Sequence, residues 1–93
     1  MNTENRVVLD FYSDYCMPCK MLSKDLDEIS KDFSDIKFEK LNINDNYELT
    51  EKYNVMTVPT LVMIKNNEFL ASYIGYKGKE DLKRFLVENG RSS

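Results

Sequence analysis

The sequence predicts an α/β fold: a four-stranded mixed sheet with helices on both faces, built in the order β-α-β-α-β-β-α. Three observations carry this. Short runs rich in β-branched and aromatic residues alternate with stretches of helical periodicity, the pattern of parallel strands joined by crossover helices. The last two strand-like runs, 60–64 and 69–74, are separated only by "KNNE", which is too short for a crossover and so pairs them as an antiparallel hairpin. Finally, 93 residues suffice for one hydrophobic core but leave no room for an appended module, so 1–93 reads as a single domain with an ordered core over about 6–89.

Each element has a local reason. "RVVLDFY" (6–12) is a nearly continuous apolar run suited to a strand buried on both faces, in which Asp10 is the anomaly. From Pro18 onward, Leu22, Leu26, Ile29 and Phe33 recur at helical spacing, with Lys and Asp/Glu filling the opposite face. Pro18 fits the first turn, where its missing N–H costs nothing. "IKFEKLNI" (36–43) reads as a second strand, and 44–55 contains a short polar helix that Asn44 or Asn46 caps. "TLVMI" (60–64) and "FLASYI" (69–74) follow, joined by a turn whose asparagines tolerate positive φ. The last helix runs from about Lys79 to Glu88, with Leu82, Phe85 and Leu86 on one face and Gly90 as its stop. The terminal "RSS" is expected to fray and is set aside.

Composition narrows the function. A net charge of −3 lacks the basic excess that phosphate-backbone binding needs, which argues against nucleic acid as a partner. No basic segment leads into a long apolar run, and nothing approaches about 18 consecutive apolar residues, so neither export nor membrane insertion is expected and the reading is cytoplasmic. The chain has no histidine, which removes imidazole as base and as metal ligand.

Both cysteines lie in "DYCMPCKML" (14–22), and three readings compete for them. As a staple, a bridge between residues three apart closes too small a loop to restrict the unfolded chain much. As a zinc or iron-sulfur site, two Cys without His fall short of four ligands, and a second copy of the chain would have to supply the rest. As a redox centre, CxxC beside a βαβ pattern is the expected arrangement. Cys16 falls between the first strand and the first helix, where free N–H groups and the positive end of the helix dipole stabilise a thiolate, the form that attacks disulfides. Cys19, one turn on and more buried, is then the resolving thiol.

The chain resembles the thioredoxin family. The resemblance rests on "VVLDFYSDYCMPCKML", "EKLNIND", "YNVMTVPTLVMIKNNE" and "YIGYKGKEDLKRFL", ordered motifs that span about residues 6 to 89. It implies the thioredoxin fold and a dithiol-disulfide oxidoreductase that reduces protein disulfides, with no bound cofactor because the electrons reside in the two sulfurs. Cys16 matches the nucleophile and Cys19 the resolving thiol. Asp10 matches the buried aspartate that moves a proton on and off the inner cysteine, and Lys40 the lysine near that aspartate. Pro59 matches the family's cis-proline facing the disulfide, and Gly75 a glycine beside the active site. Tyr15, Met17, Pro18, Val58, Ile74 and Tyr76 would surround the sulfurs with an apolar surface, and backbone groups of Val58 would pair with an extended substrate segment as a short added strand. The implied partners are a thioredoxin reductase and disulfide-containing proteins, met by a monomer.

The sequence also departs from the family. Met17 replaces the usual glycine between the cysteines, Tyr12 and Tyr15 replace tryptophans, and Lys24 replaces a proline that often kinks the long helix, which is therefore expected to run straighter. Too few residues precede Asp10 for the family's opening strand and helix. The 36–43 strand is thus an edge, where Lys37 and Glu39 discourage pairing with other chains. That minimal topology is shared with glutaredoxins, so a glutathione-dependent enzyme is the rival reading. A non-catalytic binding module is the reading from a different class.

Overall fold

The structure, a computed structural model, describes residues 6–90; the "RSS" segment lies outside them. Four strands, β1 (Arg6–Tyr12), β2 (Ile36–Asn42), β3 (Thr60–Lys65) and β4 (Glu68–Ile74), and three helices, α1 (Met17–Ile29), α2 (Tyr47–Lys52) and α3 (Lys79–Gly90), follow in the expected chain order. The sheet order is β2-β1-β3-β4, with β1 parallel to β2 and antiparallel to β3, and β3 antiparallel to β4. The parallel pair is the one joined through a crossover helix, as chain geometry requires.

Alternation along the central strands divides the core into two layers. Val8, Leu61 and Met63 pack against Leu22, Leu26 and Ile29 of α1 and Leu82, Phe85 and Leu86 of α3. Leu9, Phe11, Val62 and Ile64 form the second layer, against Leu49, Tyr53 and Val55 in and after α2. Helices therefore cover both faces, and β1, central and buried on both, carries Asp10 into the α1 layer.

The outer strand β2 presents Lys37 and Glu39 as an exposed ion pair with 3.3 Å between Nζ and Oε2, charges that blunt an open edge. In the β3–β4 hairpin, Asn66 and Asn67 have φ of 53° and 69°, left-handed values that asparagine tolerates better than other non-glycine residues.

The structure corrects several local expectations. α1 ends at Ile29, and a single 3-10 turn over Ser30–Asp32 follows. Phe33 therefore packs on the core from outside the helix. Asp25 does not lie on the solvated face but is buried, at 8% exposure. Asn46 holds the N-cap position of α2, yet its side chain makes no capping bond; its amide instead donates to the Asn42 carbonyl at 2.8 Å. α3 runs through to Gly90 rather than ending at Glu88.

Candidate active site

Cys16 is the N-cap of α1, in extended conformation at φ −128° and ψ 103°. The first-turn amides of a helix have no intrahelical acceptor, and here the Cys19 N–H donates to Cys16 Sγ at 3.1 Å. The two sulfurs are joined in a disulfide. Cys19 is 3% exposed and Cys16 is the more accessible of the pair. Cys16 is thus the sulfur presented to solvent, at the helix end that favours a thiolate.

Beneath the disulfide a cleft of about 660 Å³ opens, lined by Cys19, Asp10, Ser23, Asp27 and Lys40 among others. Asp10 is 1% exposed, and its carboxylate oxygens have no hydrogen-bond partner among the described residues. Burial disfavours the charged form and pushes its pKa from 3.8 up to about 6; Lys40 opposes this, and the like charge of Asp27 adds to it. Such a carboxyl group exchanges protons near neutrality.

Lys40 faces Asp10 in register across the parallel β1–β2 pair, but its ammonium is bound elsewhere. It donates to Ser23 Oγ at 2.6 Å and to Asp27 Oδ1 at 2.9 Å, both on α1. Lys40 therefore acts on Asp10 through its field rather than by contact. Lys40→Met should raise the Asp10 pKa further above 6, because the charge that lowers it is removed. Following the Asp10 carboxyl carbon by NMR titration of the oxidised protein checks this; a fall or no change would mean that the lysine charge does not reach the carboxylate.

Val58, Pro59 and Gly75 lie in two loops, one before β3 and one after β4. The Val58–Pro59 peptide is cis, and the Pro59 carbonyl accepts the Gly75 N–H at 2.9 Å. Gly75 has φ +85°, and a Cβ there would meet nothing within 4 Å, so backbone conformation rather than space favours glycine. Thr60 Oγ1 donates to the Thr57 carbonyl at 2.8 Å and folds the loop before Pro59. Tyr15, Met17 and Ile74 are exposed at 99%, 68% and 53%, and Pro18 is also exposed while Val58 is half-buried. Tyr76 is placed differently: it is half-buried against the α1 and α3 core, with its hydroxyl on Asp25.

Sequence reasoning missed several contributors. Ser23 and Asp27 hold Lys40 and lie four and eight residues after Cys19, a spacing that puts all three on one helix face. Asn42 accepts nothing from Asp14 but donates to its Oδ1 at 2.9 Å, tying the loop before Cys16 to the end of β2. Met21 and Met56, at 47% and 84% exposure, extend the apolar surface carried by α1 and by the loop before Pro59.

Comparison with known proteins agrees with this geometry. The thioredoxin family model matches residues 1–88. The chain belongs to the thioredoxin family. It is 39% identical to the thioredoxin of Buchnera aphidicola over 90 residues, covering 96% of this chain and 83% of that one. Against the thioredoxin of Bacillus subtilis it is 35% identical over 85 residues, covering 90% and 82%. Its fold superposes on a thioredoxin variant from Halobacterium salinarum with a TM-score of 0.84 at 28% identity, covering 96% of this chain and 78% of that one. With the thioredoxin-family CxxC pair closed into a disulfide, the protein is a protein-disulfide oxidoreductase. Among the described residues no helix is long and apolar enough to cross a membrane.

Proposed function

We propose that this thioredoxin-family protein works as a cytoplasmic, single-domain monomer that reduces disulfides in other proteins, and that a thioredoxin reductase returns it to the dithiol form. The observation that carries the reading is the asymmetry of the pair: Cys16 accessible at a helix N-cap, Cys19 buried, and Asp10 lining the same cleft as Cys19. Cys16 thiolate attacks one sulfur of the substrate disulfide, and the other substrate sulfur leaves as a thiolate. Cys19 then loses its proton to the Asp10 carboxylate and attacks Cys16 Sγ, which expels the second substrate thiolate. The substrate gains two electrons, and the Cys16–Cys19 pair is oxidised to the disulfide.

Tyr15, Met17, Pro18 and Ile74 supply apolar contacts on either side of the sulfurs, and Val58, Pro59 and Gly75 form the backbone edge along which an extended segment lies. Turnover of a disulfide-bonded protein by the dithiol form, with one substrate disulfide reduced per Cys16–Cys19 pair oxidised, tests this reading. Glutathione alone should sustain that turnover poorly compared with a dithiol donor, whereas efficient turnover driven by glutathione would favour glutaredoxin-like chemistry.

A further inference from the structure

The apolar stripe of α1 contains one residue that a simple core would not hold. Asp25 lies between Leu22 and Leu26 in sequence and is buried with them and with Ile29. A carboxylate in such a place is costly unless a donor meets it. The donor comes from across the fold: Tyr76 Oη donates to Asp25 Oδ2 at 2.7 Å. Tyr76 directly follows Gly75, whose amide is bonded to the Pro59 carbonyl. Three residues further on, Lys79 Nζ donates to Glu28 Oε1 of α1 at 2.6 Å. The β4–α3 connection and the first residue of α3 are thus fastened to the helix that carries Cys19.

We propose that Tyr76 and Asp25 are positioning residues, a strap that holds the Pro59–Gly75 edge of the groove at a fixed offset from the sulfurs on α1. The proposal rests on the groove reading given above. The sulfurs and the backbone edge belong to elements remote in sequence, and attack needs the substrate sulfur held in line at roughly 3–3.5 Å. A shift between the two halves therefore misplaces a docked chain while leaving each half intact. Of the two fastenings, the Lys79–Glu28 pair is about half exposed and is weakened by solvent. The Tyr76–Asp25 bond is charge-assisted and engages a buried carboxylate, which makes it the stiffer one. Its burial contributes geometric specificity more than stability.

Protein disulfides, which lie along the edge, should depend on the strap, and a small aromatic disulfide, which has no chain to lay there, should depend on it far less. Tyr76→Phe should raise the KM for a protein disulfide, relative to that for the small disulfide, roughly three- to tenfold, the factor expected for one lost hydrogen bond. Hydrogen exchange at the Gly75 amide should quicken in the same variant. Asp25→Asn keeps an acceptor for the tyrosine hydroxyl and should hold the KM ratio within about twofold of the parent. If Tyr76→Phe fails to fold because Asp25 is left without its donor, Tyr76→Phe combined with Asp25→Asn removes both the bond and the buried charge, and the raised ratio should persist there. An unchanged ratio with only a lowered melting temperature would overturn the strap and leave a packing contact. Ile74→Ser separates the two claims. If it raises the ratio while the Tyr76 variants do not, the groove stands and the strap is wrong. If neither raises it, the groove reading fails and the strap falls with it.

Discussion

Cys19→Ser should turn the protein from a turnover catalyst into a trap, accumulating substrates as mixed disulfides on Cys16, while Cys16→Ser should trap nothing. Accessibility sets the asymmetry: Cys16 stands at the mouth and Cys19 is 3% exposed. The Cys19 amide donates to Cys16 Sγ and the N-terminal end of α1 favours its thiolate, so attack survives the loss of the Cys19 thiol but resolution does not. Steady-state reduction of a protein disulfide should fall on the order of a thousandfold or more in either variant, as expected when a nucleophile that acts as part of a unit is removed. Non-reducing gels of each variant mixed with an oxidised protein give the readout. Equal trapping by both would reverse or dissolve the assignment of the attacking sulfur.

Asp10→Asn should slow the collapse of the mixed disulfide by up to about a hundredfold at neutral pH, within the usual contribution of a positioned general base. It should leave the first attack by Cys16 comparatively intact, because that sulfur faces solvent while Asp10 lines the cleft with Cys19. Single-turnover kinetics resolve the two steps. The same substitution should stabilise the fold in a pH-dependent way. Asp10 is raised from 3.8 to about 6 by burial, so between those values the native state holds a proton that the unfolded chain has released. Its unfavourable contribution is therefore absent below about pH 4, grows as pH rises, and is complete above about pH 6, where the shift corresponds to about 3 kcal/mol. Asparagine still buries an amide that needs partners, which leaves a net gain of about 1–3 kcal/mol at pH 7 and little at pH 4. Denaturant melts of parent and variant at the two pH values check the sign. A gain that is equal at both, with unchanged resolution kinetics, would make Asp10 a packing residue.

The sequence by itself determined the order and kind of every strand and α-helix, because those depend on local periodicity. The β-branched runs at 6–12 and 60–64 form strands, the Leu22, Leu26, Ile29 stripe forms a helix, and the asparagine pair at 66–67 turns the hairpin. It also determined the redox pair, since Cys16 and Cys19 are neighbours on one helical turn and need no distant element to meet. What it left open is where a polar side chain finds its partner, because that depends on which faces the sheet brings together. Lys40 sits in register with Asp10, yet its ammonium bonds to Ser23 and Asp27 on α1. Tyr76, placed by similarity on the substrate surface, turns inward to Asp25, a residue that a polar-out reading of α1 puts in water. Such contacts join residues 13 to 51 positions apart, and pairwise polar geometry of that kind is decided only once the β1–β2 and β4–α3 segments are packed against α1. Periodicity reports the face a residue occupies; tertiary packing alone decides which donor waits on the other side of that face.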